Sequence, residues 1–390
     1  MPVIDRIKDF QNDLVAIRRD IHAHPEIGFE ETRTSAIVAD LLETWGITVH
    51  RGVGGTGVVG ELRGNHNSNK RIGLRADMDA LPILETTGLP YASTVPGKMH
   101  ACGHDGHTTM LLGAARYLAE TRNFAGTAVF VFQPAEEGLG GARAMIKDNL
   151  FTRFPCDEIY GLHNSPNGKP GRIAVFPGAA MAGADFFDFT IKGRGSHGAR
   201  PEDSRDPIVA GIALTQALQT IVSRNVHPRQ PLVISVTQFH AGAAYNVIPA
   251  EAKLSGTVRA FSDSVLALAR RRMKEVADGI AATYDVEVEF DYRDTFSVLE
   301  NHPEQTDVYA EAARDVVGAD NVSTAREPVM GSEDFADMLR AVPGAYGWLG
   351  HAGTTPVHNP AYVFDDDMIP VGASLMARII ERRMAPNANA

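Results

Sequence analysis

Cysteine is scarce in this chain: Cys102 and Cys156 are the only two in 390 residues. Two thiols cannot staple a disulfide-built scaffold, so a reducing compartment is the expectation. Long apolar runs are missing as well. No segment reaches the ~18 consecutive apolar residues that a spanning helix needs. The opening Met1-Pro2-Val3-Ile4-Asp5-Arg6 carries no apolar targeting core. The expected location is therefore the cytoplasm, with no membrane partner. Positive charge is in deficit, with 37 Lys and Arg against 48 Asp and Glu and a formal net charge of -11. With no Lys/Arg cluster in addition, nucleic acid is not an expected partner. Internal repeats are absent. The one low-complexity piece is the tail Pro386-Asn387-Ala388-Asn389-Ala390, expected to be disordered.

What is present is enough for two cores, since 390 residues exceed one ordinary domain. Ile4, Ile7, Phe10, Leu14, Ile17 and Ile21 recur at helical spacing and predict one amphipathic first helix. Strand-like and helical segments then alternate. Residues 71–76, 127–132 and 159–163 read as strands, and 34–45, 108–121 and 141–150 as helices. This alternation predicts an α/β domain with a mainly parallel sheet. Residues 186–292 change texture to strand, helix, strand, strand, helix, strand, the order of a ferredoxin-like α+β unit. The expected organisation is one domain over 1–182 and 296–390, interrupted by a smaller one over 183–295.

The densest chemistry lies in Met99-His100-Ala101-Cys102-Gly103-His104-Asp105-Gly106-His107. Thiolate and imidazole in such spacing suit zinc and other first-row metals. Glu136 and Glu137 follow an apolar strand. Adjacent buried carboxylates repel, and a metal relieves this by binding one while the other serves as general base. A solvated pair at a turn is the plain alternative. Asp77 and Asp79 share a face after a strand and could orient a ligating histidine. A turn or cap carboxylate is their alternative. His163 and His358 each follow a strand-like or loop segment. Cys102, His104, Glu137, His163 and His358 together meet the needs of two metals with one shared ligand.

Further along, Gly193-Arg194-Gly195-Ser196-His197-Gly198 presents an imidazole that could hold an oxyanion. Asn246 and Arg259 are expected close together on adjacent strands, suited to a carboxylate-bearing ligand. Gly331-Ser332-Glu333-Asp334-Phe335 reads as a helix start with a polar cap. Cys156 has no chemical neighbours and reads as a small buried residue.

In order, His22-Ala23-His24-Pro25-Glu26, Arg75-Ala76-Asp77-Met78-Asp79, Cys102-Gly103-His104-Asp105-Gly106-His107, Glu136-Glu137, Gly195-Ser196-His197 and Gly331-Ser332-Glu333-Asp334-Phe335 form a specific set. The set resembles the metal-dependent amidohydrolases that include hippurate hydrolase, indole-acetyl-amino-acid hydrolases, aminoacylases and carboxypeptidases, over about residues 5 to 380. The resemblance implies an exopeptidase-like catalytic domain, a ferredoxin-like lid and dimerisation domain, and a homodimer. It implies two divalent ions, manganese or zinc, with cobalt or nickel as further options. Cys102 would bridge them, with His104, Glu137, His163 and His358 as the other ligands. Glu136 would be the general base and Asp79 a supporting aspartate. His197, Asn246 and Arg259 would serve the substrate, an N-acyl-amino acid. Two departures fall where substrate side chains sit. Ser165 stands where a bulky aromatic is common, and Gly242-Ala243-Ala244 where an acidic or hydroxyl residue is common.

Three other readings compete with N-acyl-amino-acid hydrolysis. One is a dipeptidase or carboxypeptidase of the same kind. Another makes Cys102 a thiolate nucleophile paired with a histidine. The last is a non-catalytic metal- or peptide-binding scaffold.

Overall fold

The computed structural model describes residues 3–166 and 168–386. Apart from Pro386, the low-complexity tail lies outside these residues. The chain divides into two compact units. The first comprises Met1–Gly178, Glu300–Glu327 and Asp334–Ala390, and the second Ala179–Leu299 and Pro328–Glu333. The sequence reading had no signal for the short return of 328–333 to the second unit.

The first unit is built on an eight-stranded sheet. Its strands run in the order Thr48–Val53, Gly57–Arg63, Ala125–Gln133, His66–Asp77, Glu158–Ser165, Gly344–Gly350, Ile173–Ala174, Val322–Ser323. The four central strands are mutually parallel; Thr48–Val53 and Gly57–Arg63 pair antiparallel on one flank, and on the other Ile173–Ala174 joins antiparallel and pairs parallel with Val322–Ser323. The sheet is thus mixed, with parallel pairing in the majority as expected. The hairpin explains one flank: residues 48–53 and 57–63 are joined by a turn too short for a parallel crossover. Gly54 and Gly55 take positive φ there, at 67° and 109°.

Ala125–Gln133 is buried along its whole length, as expected of a strand covered on both faces. Helix His104–Thr121 packs against Gln11–Ala23 and Ile369–Arg383. Gly113 sets that spacing, because a Cβ there would lie 2.9 Å from Leu14 Cδ1 and 3.0 Å from Ala373 Cβ. The expected single first helix is two, Asp5–Asp9 and Gln11–Ala23. The break at Phe10 leaves its ring buried, with the Arg116 guanidinium 4.3 Å from the ring centre.

The second unit has the predicted order of elements. Four antiparallel strands lie in the sequence Leu232–Ala241, Glu251–Ala260, Gly183–Lys192, Glu287–Phe296. Strand Gly183–Lys192 alternates buried and half-buried residues along most of its length. Phe187, Phe189 and Ile191 meet Leu214, Leu218 and Met273 in one core. These last three come from helices Pro207–Arg224 and Asp263–Tyr284. Asp206 caps the first of these, accepting N–H bonds from Ile208 at 2.8 Å and Val209 at 3.4 Å.

The His22 to Glu26 motif is scaffolding for the first unit. Glu26 accepts the Arg33 and Thr34 amides at the start of helix Thr32–Thr44, and its carbonyl accepts the Ala80 amide. His22 Nδ1 lies 2.8 Å from Asp105 Oδ2, and Arg18 Nη1 lies 3.3 Å from the same oxygen, all three buried. Burial disfavours the His22 cation, but Asp105 and Glu85 outweigh it and raise its pKa to about 9. The folded-state pKa exceeds the unfolded one. The stabilisation is therefore full below about pH 6.5 and lost as pH rises through about 9. We expect wild-type stability to fall by up to roughly 3 kcal/mol from this group over that window. His22→Gln should be less stable at neutral pH and should lose the alkaline step. Parallel denaturation curves of the two proteins across pH 6 to 10 would disprove the assignment.

Candidate metal centre

The C-terminal ends of the central strands deliver the chemistry to one place, as in other open α/β sheets. Asp77 and Asp79 end and follow His66–Asp77. Glu136 and Glu137 follow Ala125–Gln133, and His163 lies near the end of Glu158–Ser165. Gly103, with φ at 93°, turns the chain into helix His104–Thr121, so that Cys102 and His104 flank the turn. Ala135 also takes a positive φ, 52°. It is fixed by donating its amide to Glu31 Oε1 at 2.8 Å and accepting the Gly141 amide at 3.0 Å. That turn presents the two glutamates. His358 adopts φ of 65° in a loop pinned by its amide to the Ala101 carbonyl at 2.7 Å. A positive φ on a histidine is a strained feature held by its surroundings.

All five expected ligands converge. Cys102, His104 and His163 each offer a donor atom within 4.8 Å of the others, and so do Cys102, Glu137 and His358. Cys102 belongs to both groups. Its Sγ is 3.4 Å from His163 Nε2. Glu137 Oε1 is 3.2 Å from His358 Nε2 and 4.0 Å from His104 Nε2. Glu136 is buried and lies within the same reach of His104 and Glu137.

The imidazoles are aimed by their other nitrogens. His104 Nδ1 is 3.0 Å from Asp79 Oδ1, whose second oxygen accepts the Glu137 amide at 2.9 Å. His163 Nδ1 donates to the Asn164 carbonyl at 2.6 Å. In each ring Nε2 is left as the acceptor facing the centre. His107 is different. It sits at 2.7 Å from Asp77 Oδ1 through Nδ1 and accepts the Asn164 amide at 2.9 Å through Nε2. Both nitrogens are used, so His107 braces the site and has no lone pair to give.

The donor set fits a cation. His104 Nε2 is buried without a hydrogen-bond partner among the described residues, and Glu137 Oε1 has only the His358 ring, at 3.2 Å, as a close counter-group. Buried orphan acceptors are costly unless something positive meets them. Burial, and then the Glu137 charge, pushes the Cys102 thiol up. Bonds to Cys102 and Glu137 raise His358 to about 10.

Asn164 was not singled out in the sequence. Its side-chain amide donates to the Cys102 carbonyl at 2.5 Å, and its Oδ1 accepts from Tyr362 at 2.7 Å. An amide directly after a ligand-type histidine at a strand end was the available signal. Asp334 stands at the N-cap position of helix Phe335–Ala341 but makes no side-chain cap bond. Its carboxylate instead accepts from Gln133 Nε2 at 2.7 Å and the Ala142 amide at 2.9 Å.

His197, Asn246 and Arg259 belong to the second unit. His197 pairs with Val247, and the Gly198 amide bonds the Asn246 carbonyl at 2.7 Å, so the His197 and Asn246 loops are joined. The Ala199 amide donates to His197 Nδ1 at 3.1 Å, which places the proton of the neutral ring on Nε2. Asn246 and Arg259 are not on adjacent strands. Among the described residues Val247–Ile248 pairs with Ser196–His197 in a two-stranded sheet, whereas Arg259 pairs with Val233 and Ala184 in the four-stranded sheet. Along Glu251–Ala260, Arg259 is about 26 Å beyond the end nearest Asn246.

Residues 73–382 match the family model described as peptidase family M20/M25/M40. The chain is 43% identical to a hippurate hydrolase of Campylobacter jejuni over 379 residues, covering 97% of this chain and 98% of the relative. It is 38% identical to an N-acetylcysteine deacetylase of Bacillus subtilis, covering 95% and 97%. A crystal structure of a Bacillus subtilis dinuclear metal-binding peptidase superposes with a TM-score of 0.84 at 35% identity, covering 97% of this chain and 99% of that one. With its strand-end donor set and its α/β sheet, the chain belongs to peptidase family M20/M25/M40 and is a metal-dependent amidohydrolase.

Proposed function

We propose that the protein hydrolyses the amide bond of N-acyl-amino acids at a centre of two divalent ions, manganese or zinc. The observation that carries this reading is Cys102, whose sulfur belongs at once to the His104 and His163 group and to the Glu137 and His358 group. One thiolate common to two ligand sets is the arrangement of a shared bridge. The deacetylase and hippurate hydrolase relatives support an acyl-amino-acid substrate. A homodimer in the cytoplasm belongs to the same proposal.

Two ions bound there supply an acidified water and a polarised scissile carbonyl. The chain's own groups do the rest. Glu136, buried next to Glu137, takes the proton of the attacking water on a carboxylate oxygen and hands it to the leaving amide nitrogen. The C–N bond breaks, and a carboxylate and an amine result. Asp79 keeps His104 Nε2 pointed inward. His197 donates from Nε2 to the developing oxyanion. Asn246 and Arg259 hold substrate, from separate places in their unit. Residues 183–295 act as the lid and dimerisation domain.

Glu136→Gln should keep full metal content and lose about 10²–10⁴-fold in kcat. Metal analysis beside steady-state rates on hippurate and acetyl-amino acids checks this, and wild-type turnover in the variant would sink the base assignment. A chelator should abolish activity, with manganese or zinc restoring it. If chelation left turnover intact while iodoacetamide destroyed it, Cys102 would be a nucleophile and not a ligand.

A further inference from the structure

A cavity of about 530 Å³ opens in the first unit and lies outside the donor set just described. Ser165, Lys169, Arg172, Arg326 and Trp348 are among its lining residues. Its position follows from strand register. Trp348 is the parallel partner of His163, and Gly350 the partner of Ser165. Paired residues on parallel strands point to the same face, with the strands about 4.8 Å apart. The indole therefore stands beside the expected ligand His163. Tyr346 links them, with its ring centre 6.5 Å from that of His163 and 5.8 Å from the indole. Ser165, two residues after His163, faces the same way.

The walls are cationic. The Arg326 guanidinium lies over the indole at 4.8 Å, and Phe176 stacks on Trp348 with ring centres 5.6 Å apart. Lys169 donates to Asn321 Oδ1 at 3.2 Å. Among the described residues, none of Lys169, Arg172 and Arg326 forms an ion pair, in a chain with 48 carboxylates. Burial lowers the Arg326 pKa, the mark of a guanidinium partly out of water with no counter-charge. No acidic residue lines the cavity, so it does not suit a metal. Its volume is that of a small-molecule site, roughly 300–1,000 Å³.

We propose that this cavity is a specificity subsite for a second carboxylate on the substrate, carried by either the acyl or the amino-acid half. The inference rests on the amidohydrolase reading above. Arg326, its plane fixed by the indole, presents free N–H groups to a carboxylate, and Arg172 and Lys169 add charge. The Ser165 side chain is small enough to leave the space open.

The test uses the metal-loaded protein and two matched pairs. N-acetyl-L-glutamate against N-acetyl-L-glutamine varies the amino-acid half, and N-succinyl-L-alanine against N-butyryl-L-alanine varies the acyl half. In one pair the charged member should have a kcat/KM higher by roughly ten-fold or more, mostly through KM. That pair names the half that enters. Arg326→Met and Ser165→Phe, the second filling the space without touching charge, should each bring the ratio towards one. Added salt should shrink it too. If the neutral members are hydrolysed and neither charged member is preferred, the subsite is wrong and the amidohydrolase reading stands. A preference unchanged in both variants also overturns the subsite. If none of the four is hydrolysed, the substrate reading itself fails and the subsite with it.

Discussion

The gathering of three imidazoles and a carboxylate around the buried Cys102 is the constraint on which the rest of the first unit turns. His104 Nε2 is buried with no hydrogen-bond partner among the described residues, Glu137 Oε1 meets only the His358 ring at 3.2 Å and the His104 ring at 4.0 Å, and Cys102 lies 3.4 Å from His163. Left so, an orphaned group costs about 1–3 kcal/mol of desolvation. A packed core does not hold such a cluster by accident, because apolar side chains of equal volume would stabilise it more. The cost is tolerated because the cluster is fixed by groups that have their own full set of bonds. Asp79 spans His104 and the Glu137 amide, and Asn164 spans His107 and the Cys102 carbonyl.

That fixing explains the backbone. The ligands come from strand ends and loops, the least rigid parts of an α/β domain. Ala135 and His358 sit at positive φ, where a side chain is strained, and each is held by a backbone hydrogen bond of 3.0 Å or less. Asp334 gives up capping its own helix to hold Gln133 and Ala142, on either side of the Glu136 turn. Local helix stability is spent on the geometry of the glutamates. Behind this, Arg18, His22 and Asp105 lock helix Gln11–Ala23 to helix His104–Thr121, so the first turn carrying His104 cannot drift.

Much of this could be read from residue types alone. Metal-ligand chemistry is local and needs few residue kinds, so Cys102, His104 and the glutamate pair stood out by spacing. The βαββαβ order of the second unit was legible because burial on one face imposes a period of two on each strand. Pairing is another matter. The Asn246 and Arg259 strands follow each other in the sequence, yet the Gly195 backbone crowds the 248–250 segment and the two strands enter different sheets. The break at Phe10 was hidden because its side chain keeps the apolar rhythm on both sides. Asn164 was hidden because one amide can be solvated or buried, and only the fold decides.

Charge distribution ties the centre to its surroundings. A net charge of -11 draws divalent cations but repels anions, and the proposed acyl-amino-acid substrate carries at least one carboxylate. Glu136, Glu137, Asp77 and Asp79 concentrate that negative field at the reacting point until cations offset it. An anion can then settle only where positive groups are not already neutralised. Most arginines in this protein are neutralised: Arg18, Arg33, Arg71, Arg75 and Arg383 all lie against carboxylates. Among the described residues Arg172 and Arg326 have no carboxylate partner, and strand register places Trp348, beneath Arg326, beside His163. The Arg326 guanidinium is instead held by its contact with the indole, which leaves its charge without a carboxylate among the described residues. The place of these two arginines next to the centre fits the proposed subsite, in which the carboxylate arrives with the molecule being cleaved.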